Sequence, residues 1–173
     1  MESQLKFAAV DIGSNAVRLL LTGVFEDGDS PTFRKMSLIR MPIRLGDDAF
    51  TQKRISENKV TQLLKTMVGF HHLIDSFQPL GFMACATSAM REAENGLQIR
   101  EQILHESGID VEIINGKKEA QIIFENKSSD MFGGNNACLY ADIGGASHVT
   151  LGEWKGFVDL YIYNNHIRCP NFV

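Results

Sequence analysis

Several absences narrow the reading of this chain. Its 173 residues contain no run near the ~18 apolar residues that a membrane-spanning helix needs. Met1-Glu2-Ser3-Gln4 places no basic segment before an apolar stretch, so a secretory leader is not expected and the cytoplasm is the expected location. Cysteine is scarce: Cys85, Cys138 and Cys169 are scattered and odd in number, with no CxxC pair and no zinc-ligand spacing. A disulfide framework and a structural zinc site are both excluded by that pattern. Cys85 and Cys138 sit in apolar runs where a buried thiol is expected. The five histidines form no HExxH pattern, and His71-His72 fall inside a helical period, which predicts one ring buried and one solvated. Positive charge is also lacking. A net charge of −4 and a pI near 5.7 exclude broad, non-specific binding to nucleic acid. A polyanionic substrate stays open, because a few arginines and backbone N–H groups can make a site locally positive. Hydrophobic residues at 44% and charged residues at 22% exclude a disordered chain.

The elements follow from period and punctuation. Residues 5–12, 17–25 and 33–41 read as three strands with short connections, the second joined to the third by Asp27-Gly28-Asp29-Ser30-Pro31. They predict an antiparallel meander, followed by a loop before the next helix. Val60, Leu63, Leu64, Met67, Phe70, Ile74 and Phe77 recur at helical spacing, with Ser56 as N-cap and Pro79 and Gly81 beyond the end. A small-residue strand at 81–86 comes next. A short helix from Thr87 to Ala93 and a helix from Asn95-Gly96 to near Gly108 follow it. A strand at 109–114 and a helix over about 117–127 complete the order βββαβαβα. The fold class is therefore α/β: a mixed sheet with helices on its faces, as in the ribonuclease-H-like half-domain of actin-like ATPases. Residues 1–127 make this first domain. Residues 128–136, rich in Gly, Asn and Ser, read as a linker, and 137–173 as the incomplete start of a second, similar domain.

The chemistry sits in two turns. In Asp11-Ile-Gly-Ser-Asn-Ala-Val-Arg18 a strand ends on a carboxylate and turns at Gly13. Glycine lets backbone N–H groups approach an anion, Ser14 and Asn15 add donors, and Arg18 adds a charged fork suited to phosphate. Asp11 can orient a hydrated Mg²⁺ or a metal-bound water. An ordinary hairpin turn with a capped Asp would show the same residues. The second copy, Asp142-Ile-Gly-Gly-Ala-Ser147, favours phosphate, because a cleft that grips phosphates from two sides needs one such turn in each half.

Four segments together resemble the exopolyphosphatase/guanosine pentaphosphate phosphohydrolase (Ppx/GppA) family. They are Asp11–Arg18, Ala86-Thr-Ser-Ala-Met-Arg-Glu-Ala-Glu-Asn95, Ile114-Asn-Gly-Lys-Lys-Glu-Ala120 and Asp142–Ser147. The resemblance runs from about Lys6 to Ser147. It implies Mg²⁺-dependent hydrolysis of terminal phosphoanhydride bonds in inorganic polyphosphate or guanosine pentaphosphate, and commonly a homodimer. It also implies that Glu119 is the catalytic carboxylate that polarises the attacking water. Arg91 then binds phosphate, as do Gly13, Ser14, Asn15 and Arg18 of the first loop and Gly144, Gly145 and Ser147 of the second. Asp11 and Asp142 face the metal. From the residues alone, Glu119 would be an acid near a helix N-terminus facing water, Arg91 a solvated helix residue, and Thr87 a helix cap. Arg34, Arg40, Arg44, Lys53 and Arg54 are candidates to line a polyanion path, although a solvated face accounts for most of them. Leu45-Gly46-Asp47-Asp48 resembles the family's loop after the third strand. Two rival readings remain: a non-catalytic phosphate-binding or degenerate fragment, and an actin-like ATPase.

The resemblance breaks in the second loop. The family pattern Asp-Ile-Gly-Gly-Gly-Ser-Thr-Glu stands here as Asp142-Ile-Gly-Gly-Ala146-Ser147-His148-Val149. Ala146 puts a Cβ where backbone approaches phosphate, and Val149 removes a carboxylate. From Trp154 the family pattern is gone. This predicts a truncated or frameshifted product with a foreign tail from about Ala146, the competitor being a natural variant with a rewired loop. Such a chain is expected to hydrolyse weakly or not at all by itself and to self-associate through uncovered sheet surface. The coding DNA tests it: another frame after codon 145 should restore Gly-Ser-Thr-Glu and a long continuation, whereas an intact frame in neighbouring genes would sink the idea.

Overall fold

The computed structural model describes residues 5–26, 31–125, 138–143, 148–153, 161–163 and 166–168, and the side chains of those up to residue 122. The chain divides into two compact units, Met1–Ile113 and Ile114–Val173. The linker expected at 128–136 lies outside the described residues, as do Gly144, Gly145, Ala146 and Ser147.

The first unit is built on a five-stranded sheet of order β3-β2-β1-β4-β5. Strands β1 (Leu5–Ile12), β2 (Val17–Phe25) and β3 (Thr32–Met41) form the antiparallel meander that the sequence predicts. Strand β4 (Gly81–Ala86) then pairs parallel to β1, with Ile12 opposite Ala86. Strand β5 pairs parallel to β4 but keeps only Glu112–Ile113, shorter than the expected 109–114. Ile109 and Val111 instead sit in the core. A register shift at Leu21/Thr22 bends the outer pair.

Strand β1 alternates: Ala8, Val10 and Ile12 are buried on one face. Helix α2 (Glu57–Phe77) lays its stripe of Val60, Leu63, Leu64, Met67, Phe70 and Ile74 into the same core. Each such side chain contributes about 1.5–3 kcal/mol when fully buried. His71 and His72 both fall off that stripe and are both exposed, edge to face at 5.5 Å, so the expectation of one buried ring fails. Cys85 is half-buried rather than buried, because it points from β4 to the face away from Ala84 and Ala86. Ser56 occupies the N-cap of α2, and Gln78 ends the helix in the left-handed conformation with its N–H on Ile74 O.

One element was not expected. Residues 45–52, read as loop, form helix α1 (Leu45–Gln52), which buries Leu45 and Ala49. Helices α3 (Ser88–Glu92) and α4 (Gly96–Ser107) follow β4, and α4 adds Ile99 and Ile103 to the core.

The second unit holds helix α5 (Gly116–Glu125), strands β6 (Cys138–Ile143) and β7 (His148–Glu153) paired antiparallel, and the short antiparallel pair β8 (Tyr161–Tyr163) and β9 (His166–Arg168). No helix among the described residues is long and apolar enough to cross a membrane.

The turn between α3 and α4 is locked by polar and steric contacts. Asn95 is buried; its Oδ1 accepts the Ile55 N–H at 3.0 Å and its Nδ2 donates to the Ile55 carbonyl at 2.9 Å. A Cβ on Gly96 would lie 2.0 Å from the Met90 carbonyl oxygen, so no larger residue fits there without moving backbone. Asn95→Ala strands two buried backbone groups and should cost roughly 2–4 kcal/mol of stability. Urea denaturation checks this; an unchanged midpoint would mean that the Ile55 backbone finds other partners.

Candidate phosphate site

Strands β1 and β4 run parallel, so the loops that leave their C-terminal ends lie side by side. The chain leaves β1 toward β2 on one side and leaves β4 toward β5 on the other. Open α/β sheets bind ligands at such a divergence, beyond the carboxyl ends of the strands. Here it brings together the segments Asp11–Arg18 and Ala86–Asn95.

Contacts join the two loops directly. The Ser14 hydroxyl lies 2.8 Å from the Ser88 hydroxyl, both side chains being buried. The Thr87 N–H donates to the Ile12 carbonyl at 3.2 Å. The Gly13 N–H donates to the Ala16 carbonyl at 3.1 Å and closes the turn. A Cβ on Gly13 would come within 3.2 Å of that carbonyl oxygen, a tight approach that any larger residue could take only by shifting the turn. Two expected phosphate donors, the Gly13 N–H and the Ser14 hydroxyl, are therefore engaged in building the loop. Asn15 is the exposed residue at its tip.

Asp11 and Arg18 are cross-strand partners, with Arg18 Nη1 3.5 Å from Asp11 Oδ2 and both side chains about half exposed. Burial pushes the Asp11 carboxyl above the ordinary aspartate range, and Arg18 pulls it partly back. A pair this exposed is worth little, so Arg18 can leave Asp11 for a better anion at small cost. Arg91 lies in the last turn of α3 with its side chain only 17% exposed, 4.0 Å from Glu92. It is not the solvated residue that the segment alone suggests. Thr87 holds the N-cap position of α3 without a side-chain cap bond.

Next to the first loop stands a second set of polar residues. The Arg44 N–H donates to the Asn15 carbonyl at 3.1 Å, and the Gly46 N–H to the Ser14 carbonyl at 2.9 Å. Lys59 Nζ donates to the Arg44 carbonyl at 2.6 Å and to Asp48 Oδ1 at 2.8 Å, with Asp47 at 3.8 Å. The Ser56 N–H donates to Asp48 Oδ2 at 3.0 Å. The sequence marked Leu45–Asp48 only faintly and did not mark Lys59 at all. No local pattern links a lysine in one helix to a carbonyl fifteen residues earlier.

In the second unit, Glu119 lies in the first turn of α5. Its N–H donates to the Asn115 carbonyl, and the Asn115 side chain accepts the Lys118 N–H at 2.8 Å, which caps the helix. One Glu119 carboxylate oxygen, Oε2, is closed off from solvent, so the side chain is not simply an acid facing water. Asp142 lies in β6 opposite Val149. Among the described residues, no three His, Cys, Asp or Glu side chains gather into a metal-binding group.

Comparison with known proteins points one way. A model of the Ppx/GppA phosphatase family matches residues 24–154. A bifunctional 3-dehydroquinate synthase/phosphatase of Fusobacterium nucleatum is 31% identical over 154 residues, covering 86% of this chain and 23% of that protein. Exopolyphosphatase 1 of Mycobacterium tuberculosis is 28% identical over 143 residues, covering 83% of this chain and 41% of that protein. Among solved structures, an exopolyphosphatase from Cytophaga hutchinsonii superposes with a TM-score of 0.71 at 26% identity, over 94% of this chain and 48% of its own. A Ppx/GppA family member from Aquifex aeolicus gives 0.71 at 22% identity, over 96% of this chain and 50% of its own, which shows the shared fold. The chain thus spans about half the length of these solved proteins and 23% and 41% of these two curated relatives.

The Asp48 contacts carry a pH signature. The hydrogen bond from Lys59, then those from Ser56, hold the Asp48 carboxyl at about 2, down from 3.8. A depressed folded-state value means the contribution is complete above about pH 4 and lost as pH falls toward 2. Asp48→Asn should therefore destabilise the chain by on the order of 2 kcal/mol at about pH 6. The difference from wild type should shrink toward zero near pH 2. Denaturation curves across that range check the sign.

Proposed function

The chain belongs to the Ppx/GppA phosphatase family, and from that membership we propose that it supplies the phosphate-gripping part of a hydrolase that removes terminal phosphate from a phosphoanhydride chain. The observation that carries the proposal is the meeting of the Asp11–Arg18 and Ala86–Asn95 segments at the adjoining ends of β1 and β4, with Ser14 bonded to Ser88. Likeness to exopolyphosphatases favours inorganic polyphosphate as the substrate, and guanosine pentaphosphate is the alternative with the same terminal chemistry.

Phosphoryl transfer asks a protein mainly for positioning and charge stabilisation. In this reading Asn15 and the backbone of the first loop hold phosphate oxygens, with Arg18 and Arg91 neutralising charge. Gly144, Gly145 and Ser147 would make the matching second grip. Glu119, placed by the family segment Ile114–Ala120, accepts a proton from the attacking water. Asp11, half exposed at the end of β1, suits a Mg²⁺ that keeps most of its own waters, and the family resemblance gives Asp142 of the second turn the same role. When bound, that ion would offset charge on the phosphate oxygens. A homodimer and a cytoplasmic setting belong to the same proposal.

A second reading is a phosphate-binding chain without turnover. His148 and Val149, where the family carries Thr and Glu, favour it.

Phosphate release from long-chain polyphosphate with Mg²⁺ separates the two, run on wild type and Glu119→Gln with tripolyphosphate binding in parallel. The hydrolase reading expects release that falls at least about 100-fold in the variant while binding persists. Binding without release in either protein supports the second reading. No binding in a folded wild-type chain would overturn both. The same assay with guanosine pentaphosphate ranks the substrates.

A further inference from the structure

Three non-glycine residues among those described have positive φ: Arg44, Lys53 and Gln78. Lys53 and Gln78 end helices α1 and α2, where the left-handed conformation is an ordinary way to stop. Arg44 precedes a helix, where extended backbone is the usual form. Its left-handed conformation, at φ 56 and ψ 51, is unfavourable for a side chain with a Cβ and persists only if the surroundings impose it.

The surroundings are specific. The Arg44 carbonyl is taken by Lys59 Nζ at 2.6 Å, and its N–H is taken by the Asn15 carbonyl at 3.1 Å. Lys59 is in turn fixed by Asp48 at 2.8 Å, with side chains 18% and 12% exposed. Two residues later in the brace, Gly46 donates to the Ser14 carbonyl. The approach is close: a Cβ on Gly46 would lie 3.0 Å from Ser14 Cβ and 2.7 Å from the Phe50 ring.

The consequence lies in the phosphate loop. In a trans peptide the carbonyl and the following N–H point in opposite directions. Holding the Ser14 carbonyl against Gly46 therefore turns the Asn15 N–H away from the brace. Holding the Asn15 carbonyl against Arg44 does the same for the Ala16 N–H. A donor aimed in advance loses less on binding an anion than one that must turn to meet it.

We propose that Lys59 and Asp48 are positioning residues for the first phosphate loop. They fix the Arg44–Gly46 brace, which aims the Asn15 N–H at a phosphate oxygen. The proposal rests on the phosphate reading above and adds to it which residues outside the loop set its affinity.

The test is a titration of the ¹⁵N-labelled 173-residue chain with tripolyphosphate, following the Asn15 amide by NMR and affinity by calorimetry. Wild type, Lys59→Met, Gly46→Ala and Lys65→Met are compared at a temperature where circular dichroism shows each fully folded. Lys65, exposed on α2, controls for loss of one positive charge. Wild type and Lys65→Met should show a saturable Asn15 shift and equal affinity. Lys59→Met and Gly46→Ala should bind at least tenfold more weakly, with the Asn15 shift lost. General loss of stability would not move that single amide selectively. Full affinity in folded Lys59→Met would overturn the positioning role and leave the phosphate reading standing. Wild type that binds no tripolyphosphate would overturn the phosphate reading and the positioning role together.

Discussion

Strand β1 is paired on both edges, antiparallel to β2 and parallel to β4, and the rest of the first unit depends on that double pairing. A strand so placed has its inward face buried and its backbone groups committed, which leaves its carboxyl end as the place where chain chemistry can emerge. The parallel partner matters most. Antiparallel pairing alone would carry the Asp11 turn back into β2 with nothing beside it. Pairing with β4 sets Ile12 opposite Ala86, so two loops far apart in sequence leave the sheet together.

Much of what looks like a chemical signature in this chain is structural. Within Ala86–Asn95, Ser88 meets Ser14, Asn95 satisfies the Ile55 backbone, and the following Gly96 admits the Met90 carbonyl. Gly13 serves the turn, and the Ser14 hydroxyl is occupied within the protein. The residues left at the exposed edge are Asn15, Arg18 and the half-exposed Asp11. The proposed phosphate loop is held by side chains that need not touch a ligand. A motif therefore records the frame as well as the reacting groups.

The sheet and the long helix were legible because their signals are local. The stripe from Val60 to Ile74 repeats over about four turns, and β1 to β3 are separated by glycine-rich or polar turns. Helix α1 was not legible. It has eight residues, a glycine at its second position, no side-chain cap, and a left-handed residue before it. A helix that short is held by tertiary contacts such as those of Leu45 and Ala49, and no window of sequence shows them. The histidine pair failed for a related reason. The helical period was right, but its buried arc is too narrow to include either ring. Of the candidate site, the loop residues could be named from sequence, whereas the Ser14–Ser88 contact and the Lys59–Asp48 support could not. They join residues 74 and 11 apart through the fold.

The 74-residue span between Ser14 and Ser88 also bears on synthesis. The phosphate loop leaves a ribosome ahead of β2 to β5, and its carbonyls can be braced once residues 44–59 have emerged. Its hydroxyl partner arrives only with β4 and α3. At ordinary elongation rates of about 5–20 residues per second, that is roughly 4–15 s later. During that interval the β1–β3 meander has no parallel neighbour on the free edge of β1, and the backbone donors and acceptors there are open to any strand nearby. The segment proposed to hold phosphate in the finished protein is thus, in the nascent one, the edge most in need of a partner.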